Sequence, residues 1–144
     1  MSRLSRKTRL RAKSPRQREL ESLHTLWRRI LILQQGPRCQ AAGKGTVQCS
    51  SVLQAHHIYG KGTYPRLRFD LKNGIIVCSN HHGFWVETGP VHEVGAWLTE
   101  QLGEAALTAL GIKAAASLKT GRKGLDLKVE RIYLEQELAA MGPE

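Results

Sequence analysis

The chain has 144 residues, with 22 Lys+Arg against 12 Asp+Glu, for a formal net charge of +10. That length allows one compact domain, or a small domain with an extended arm, and 41% hydrophobic residues support a modest core. No apolar run exceeds four residues, Ile30-Leu31-Ile32-Leu33 stopping at Gln34, and the basic N-terminus lacks the apolar stretch and cleavage site of a secretory leader. Membrane and secreted classes are therefore not expected, and the expected location is cytoplasmic.

The charge is unevenly placed. Residues 1–38 carry eleven Lys/Arg against two acids, whereas residues 39–144 carry eleven against ten. A nearly neutral body thus wears a basic N-terminal segment, which suits polyphosphate because each paired Lys or Arg releases a condensed counterion.

In chain order, residues 1–13 read as a basic, flexible arm containing Arg3, Arg6, Lys7, Arg9 and Arg11. A helix is predicted over 14–36. Ser14 is its N-cap, Pro15 its first residue, and Gln17 completes an S-x-x-Q capping box. Leu20, Leu23, Trp27, Ile30 and Leu31 form its apolar face, and Gly36-Pro37 ends it. His24 falls among these apolar residues and reads as structural.

Residues 37–90 form a distinct unit. Val52–Ile58 and Ile75–Cys78 read as strands, joined through a Gly-Lys-Gly-Thr-Tyr-Pro loop and the Asn73-Gly74 turn. Ser79–Glu87 opens a short helix ended by Gly89-Pro90, so the unit is β-β-α. Residues 91–144 read as a helical extension. One helix carries Val91, Val94, Trp97, Leu98 and Leu102, and another covers Glu104–Leu110. A linker follows over Ala114–Gly124, and a last helix capped by Asp126 runs to about Met141. Trp85 and Trp97 suit core packing. The predicted class is α+β: a small zinc-stabilised β-β-α core flanked by a basic N-terminal helix and C-terminal helices.

Cys39, Cys49, His56, His57, Cys78, His81 and His82 fall within 44 positions. An odd cysteine count without secretion argues for metal ligation rather than disulfides. Cys78-x-x-His81 can reach one tetrahedral ion from a strand-to-helix turn, and Cys39 and Cys49 can complete a Cys3His zinc site, although their spacing is longer than an ordinary knuckle. Alternation along the strand sends His56 and His57 to opposite sides, so one can ligate an ion while the other does something else. His82 offers a further ligand. Lys61, Arg66 and Arg68 surround the loop between the strands and are candidate phosphate contacts.

Leu53-Gln54-Ala55-His56-His57-Ile58 followed by Lys72-Asn73-Gly74-Ile75-Ile76-Val77-Cys78-Ser79-Asn80-His81-His82 resembles the HNH endonuclease motif, whose three letters map onto His57, Asn73 and His82. With Leu67-Arg68-Phe69-Asp70 and the helical tail, the chain is similar to phage HNH proteins, including recombination nucleases of the NinG/Rap type. The resemblance implies a ββα-metal fold and metal-dependent hydrolysis of DNA phosphodiesters by a phage or prophage enzyme. It makes His57 the general base, Asn73 the brace of the loop bearing it, and His56 and His82 ligands of a catalytic divalent cation, whether Mn²⁺, Co²⁺, Ni²⁺, Zn²⁺ or Mg²⁺. Cys39-Gln40-Ala41-Ala42-Gly43 departs from the family's C-x-x-C-G knuckle, Cys49 supplying the missing ligand from an inserted loop. Val86 stands where some members carry a further His, which leaves two imidazoles on the ion and favours Mn²⁺, Co²⁺ or Ni²⁺ over Mg²⁺. DNA is the expected partner, and nothing specifies an oligomeric state. The same residues admit two alternatives, a zinc-stabilised DNA-binding module without catalysis and a nuclease selective for branched DNA.

Overall fold

A computed structural model describes residues 11–120 and 125–143. Among them are five α-helices and a two-stranded antiparallel sheet, an α+β arrangement. The arm residues Arg3, Arg6, Lys7 and Arg9 lie outside the described residues; Arg11 is exposed and precedes the first helix.

Helix α1 spans Pro15–Gln35. The Ser14 hydroxyl accepts from the Gln17 backbone N–H, and Gly36, at φ 93°, closes the other end by donating to the Ile32 carbonyl. The buried residues Leu23, Trp27, Ile30 and Leu31 turn its apolar face onto the sheet. Strands β1 (Leu53–His57) and β2 (Gly74–Cys78) pair so that His57 lies opposite Gly74 and His56 opposite Ile75.

All of β2 is buried, because it has a core on either side. Ile76 packs toward α1 with Ala55, Phe69 and Leu71, while Ile75 and Val77 pack with Trp85, Val94 and Trp97. Gln35 pins this strand to the end of α1: its Nε2 donates to the Gly74 carbonyl and its Oε1 accepts from the Ile76 N–H. The tryptophans are core residues as their positions suggested, and the Trp97 indole donates to the Gln40 carbonyl.

After β2 the chain makes the short helix α2 (Ser79–His81), which widens directly into a π-helical turn over His82–Val86. Helices α3 (Val91–Leu102) and α4 (Glu104–Ser117) follow, separated by Gly103 at φ 86°, and α5 (Leu127–Ala140) is capped by the Asp126 carboxylate. The segment expected to be a linker from Ala114 is helical to Ser117. Ala114 is buried with Leu110 against Leu67, and alanine is the strongest helix former, so nothing stops the helix at Leu110. α5 lies on α1 through the buried Leu134, with Arg131 bonding Glu19 and Ser22. No helix among the described residues is long and apolar enough to cross a membrane.

Candidate functional site

Two clusters of metal-ligating side chains form on the β-β-α unit. The first joins Cys39, Cys49, Cys78 and His81, whose ligand atoms all lie within 4.8 Å of one another. His81 Nδ1 is 3.2 Å from Cys78 Sγ and 3.6 Å from Cys49 Sγ. A tetrahedral zinc bonded at about 2.3 Å to sulfur and about 2.0 Å to nitrogen separates its ligand atoms by roughly 3.5 Å, so the cluster has the size of such a site.

The chemistry of the donors fits as well. His81 Nε2 sits 3.1 Å from the Lys44 carbonyl, an acceptor only, so Nε2 carries the hydrogen and Nδ1 turns its lone pair to the thiols. All three cysteines are free of disulfides. Burial pushes the Cys78 thiol up, but backbone hydrogen bonds, the His81 N–H to Cys78 Sγ foremost, outweigh it and favour the thiolate. The cluster can therefore hold a metal ion such as zinc. Cys49 reaches it because the intervening loop turns back through Gly43 and Gly45, both at positive φ, and Gly45 lies so close to the Trp85 indole that a Cβ would meet it at 2.7 Å.

The second cluster brings His56, His82 and Glu87 together, again within 4.8 Å. Glu87 is the residue that sequence reasoning missed, and its position corrects the expectation of two imidazoles alone. In an ordinary helix the fourth residue after His82, Val86, would stack over it. The π-helical turn inserts one extra residue, so the Glu87 N–H bonds the His82 carbonyl at 3.2 Å and the fifth residue takes that place. Glu87 Oε1 lies 3.1 Å from His82 Nε2. His82 Nδ1 is 2.7 Å from Gln54 Oε1, which can only accept, so Nδ1 carries a hydrogen and Nε2, on the side of the carboxylate, is left to ligate a cation. Burial, then the neighbouring His82 and His57, lower His56 to about 4, which leaves it neutral and able to ligate at pH 7.

His57 occupies the end of β1 beside this cluster. Its ring stacks on the Trp27 indole with centroids 4.3 Å apart and planes 12° from parallel. Nε2 lies 2.9 Å from the Arg68 carbonyl, so Nε2 donates and Nδ1 keeps its lone pair. Burial lowers this imidazole to about 4 despite that hydrogen bond, with His24, Lys61 and Arg68 adding to the effect.

Asn73 is fully buried and ties the loop between the strands at three points. Its Oδ1 accepts from the Tyr59 N–H, while its Nδ2 donates to the Tyr59 and Leu67 carbonyls. The loop that carries Arg68 is thereby held against His57.

His56, His57, His82 and Glu87 line one open cleft of about 580 Å³. Lys61 lines it too, and Arg68 is close enough for its charge to act on His57. Arg66 is not brought there. Its guanidinium turns to the C-terminal helices and donates to Thr120 Oγ1, since the 3₁₀ turn Pro65–Leu67 points it away from β1. Two residues of α1 complete the cleft: His24, read above as structural, and Arg28. No family model matches the chain, nor does any curated protein or solved structure.

Proposed function

We propose that the protein is a metal-dependent DNA endonuclease of the HNH type, with a structural zinc on Cys39, Cys49, Cys78 and His81. The observation that carries this reading is the meeting of His57 with the His56–His82–Glu87 cluster in one cleft. A neutral base and a cation-binding trio side by side are what hydrolysis of a phosphodiester requires.

His56, His82 and Glu87 would hold the divalent ion, which when bound would supply positive charge to the phosphate undergoing hydrolysis. The protein's own groups do the rest. His57 Nδ1 takes the proton of the attacking water, and the Arg68 carbonyl, accepting from Nε2–H, favours the imidazolium as it forms. The depressed pKa keeps His57 unprotonated until that moment. Asn73 holds the loop so that the carbonyl and the ring stay in register. Gln54 fixes the His82 tautomer, so that Nε2 would be the atom that ligates.

The experiment is incubation of purified protein with supercoiled plasmid and with branched DNA across several divalent ions, beside His57→Ala. Metal-dependent cutting that vanishes in the variant supports the reading. Binding of DNA without cutting in any ion would replace it with a zinc-stabilised DNA-binding module.

A further inference from the structure

The cleft has two unlike walls. One carries the cation-binding trio. The other is formed by α1 and the loop after β1, and it is cationic: Arg28 and Lys61 line it, with Arg68 beside them. Among the described residues none of these three has a carboxylate partner. Arg28 spends Nε and Nη2 on the Leu53 carbonyl, a contact that holds the guanidinium at the cleft without neutralising it.

His24 stands between them with an unmet requirement. Its Nδ1 is buried with no hydrogen-bond partner, as is Arg68 Nε, and its ring lines the cleft. Burial, followed by the charges of Lys61, Arg68 and Arg28, lowers its pKa, so at pH 7 it offers a neutral N–H. Three cations around an imidazole donor, with no protein anion among them, form a receptor for an anion.

We infer that His24, Arg28, Lys61 and Arg68 bind the phosphates next to the scissile one, and that α1 guides that strand toward its own N-terminal end. The Arg16 charge reaches Arg68, so the track continues along α1. Twelve residues separate Arg16 from Arg28, which is about 18 Å of helix, comparable to roughly five nucleotides of one strand. The inference deepens the nuclease reading and takes its substrate class from it.

The test is the salt dependence of binding to a short DNA duplex, measured by fluorescence anisotropy in a His57→Ala background. Binding is read there independently of cutting, so a failure of the nuclease reading and a failure of this one are distinguishable. Lys61→Gln and Arg28→Gln should each lower the slope of log K against log salt by roughly 0.9, the value of one phosphate contact. Lys61 is exposed, so its variant cannot fail by unfolding. His24→Gln should weaken binding about fivefold, the equivalent of one hydrogen bond, with the slope unchanged. Arg66→Gln, which removes a charge turned away from the cleft, should leave the slope as it was. Equal slopes for Lys61→Gln and its parent, or an equal loss in Arg66→Gln, would overturn the assignment of the wall.

Discussion

The indole of Trp27 lies flat against the imidazole of His57, and the same indole occupies the space above Gly74, the residue paired with His57 across the sheet. A Cβ at Gly74 would overlap Leu31 Cδ1 and stand 2.5 Å from Trp27 Cζ2. Position 74 therefore has to be glycine for Trp27 to reach the histidine. The Trp27 N–H then donates to the Asp70 carbonyl, which anchors the ring from its other side.

Gly74→Ala should displace Trp27 and loosen His57. Overpacking of this kind costs about 1–3 kcal/mol. The expected outcome is a lower melting temperature together with a fall in cleavage rate larger than the fall in DNA affinity. A variant that melts earlier but cuts at the parental rate would show that Trp27 does not hold the base in place.

Glu87 makes a prediction about the ion. The carboxylate adds a hard anionic oxygen to two imidazoles, so Glu87→Ala should raise the concentration of ion needed for half-maximal cleavage, and should do so more for Mg²⁺ than for Mn²⁺. Val86→Ala, at the position an ordinary helix would have used, should leave that concentration nearly unchanged. Metal titrations of cleavage by the three proteins check both statements.

Acid stability follows from the two depressed imidazoles. His56 and His57 titrate near 4 in the folded chain, against about 6.5 when unfolded. Between those values the unfolded chain binds more protons, so stability is lost as pH falls from about 6.5 through 4. Melting temperatures should decline across this window. A His56→Gln, His57→Gln double variant should decline less, since any acid release of the zinc cluster is common to both proteins.

The thiol cluster should bind one zinc per chain. Cys78→Ser should abolish it, and a chelator should lower the melting temperature of the parent toward that of the variant. His82→Ala should retain the zinc, because His82 faces the other cluster. Zinc found at full occupancy in Cys78→Ser would move the site elsewhere.

Much of this arrangement is legible in the residues. Ser14, Pro15 and Gly36 mark α1 to within a residue because caps act locally, and β2 follows from the β-branched run Ile75-Ile76-Val77 after the Asn73-Gly74 turn. The Cys78–His81 pairing needs only a strand-to-helix turn. Glu87 was hidden because its place depends on a π-helical turn, which shifts the helical period by one residue without a local sequence signal. His24 and Arg28 look like members of a helix face, and only the packing of α1 across the sheet turns them toward the cleft. Arg66 and Arg68, two residues apart, look equivalent in sequence, but Arg66 lies within the 3₁₀ turn Pro65–Leu67 and Arg68 just after it, which sends them to different surfaces. Helix α4 continues through Ala114 because Leu67, far away in the chain, covers it.

The central claim is that His57 is the base of a metal-dependent nuclease, and one paired measurement tests it most directly. Plasmid cleavage rate and DNA affinity are measured for the parent and His57→Ala in saturating Mn²⁺. The account predicts a rate loss of about 10²–10⁴-fold with affinity nearly unchanged, the signature of lost proton transfer. Cleavage by the variant at close to the parental rate would contradict it.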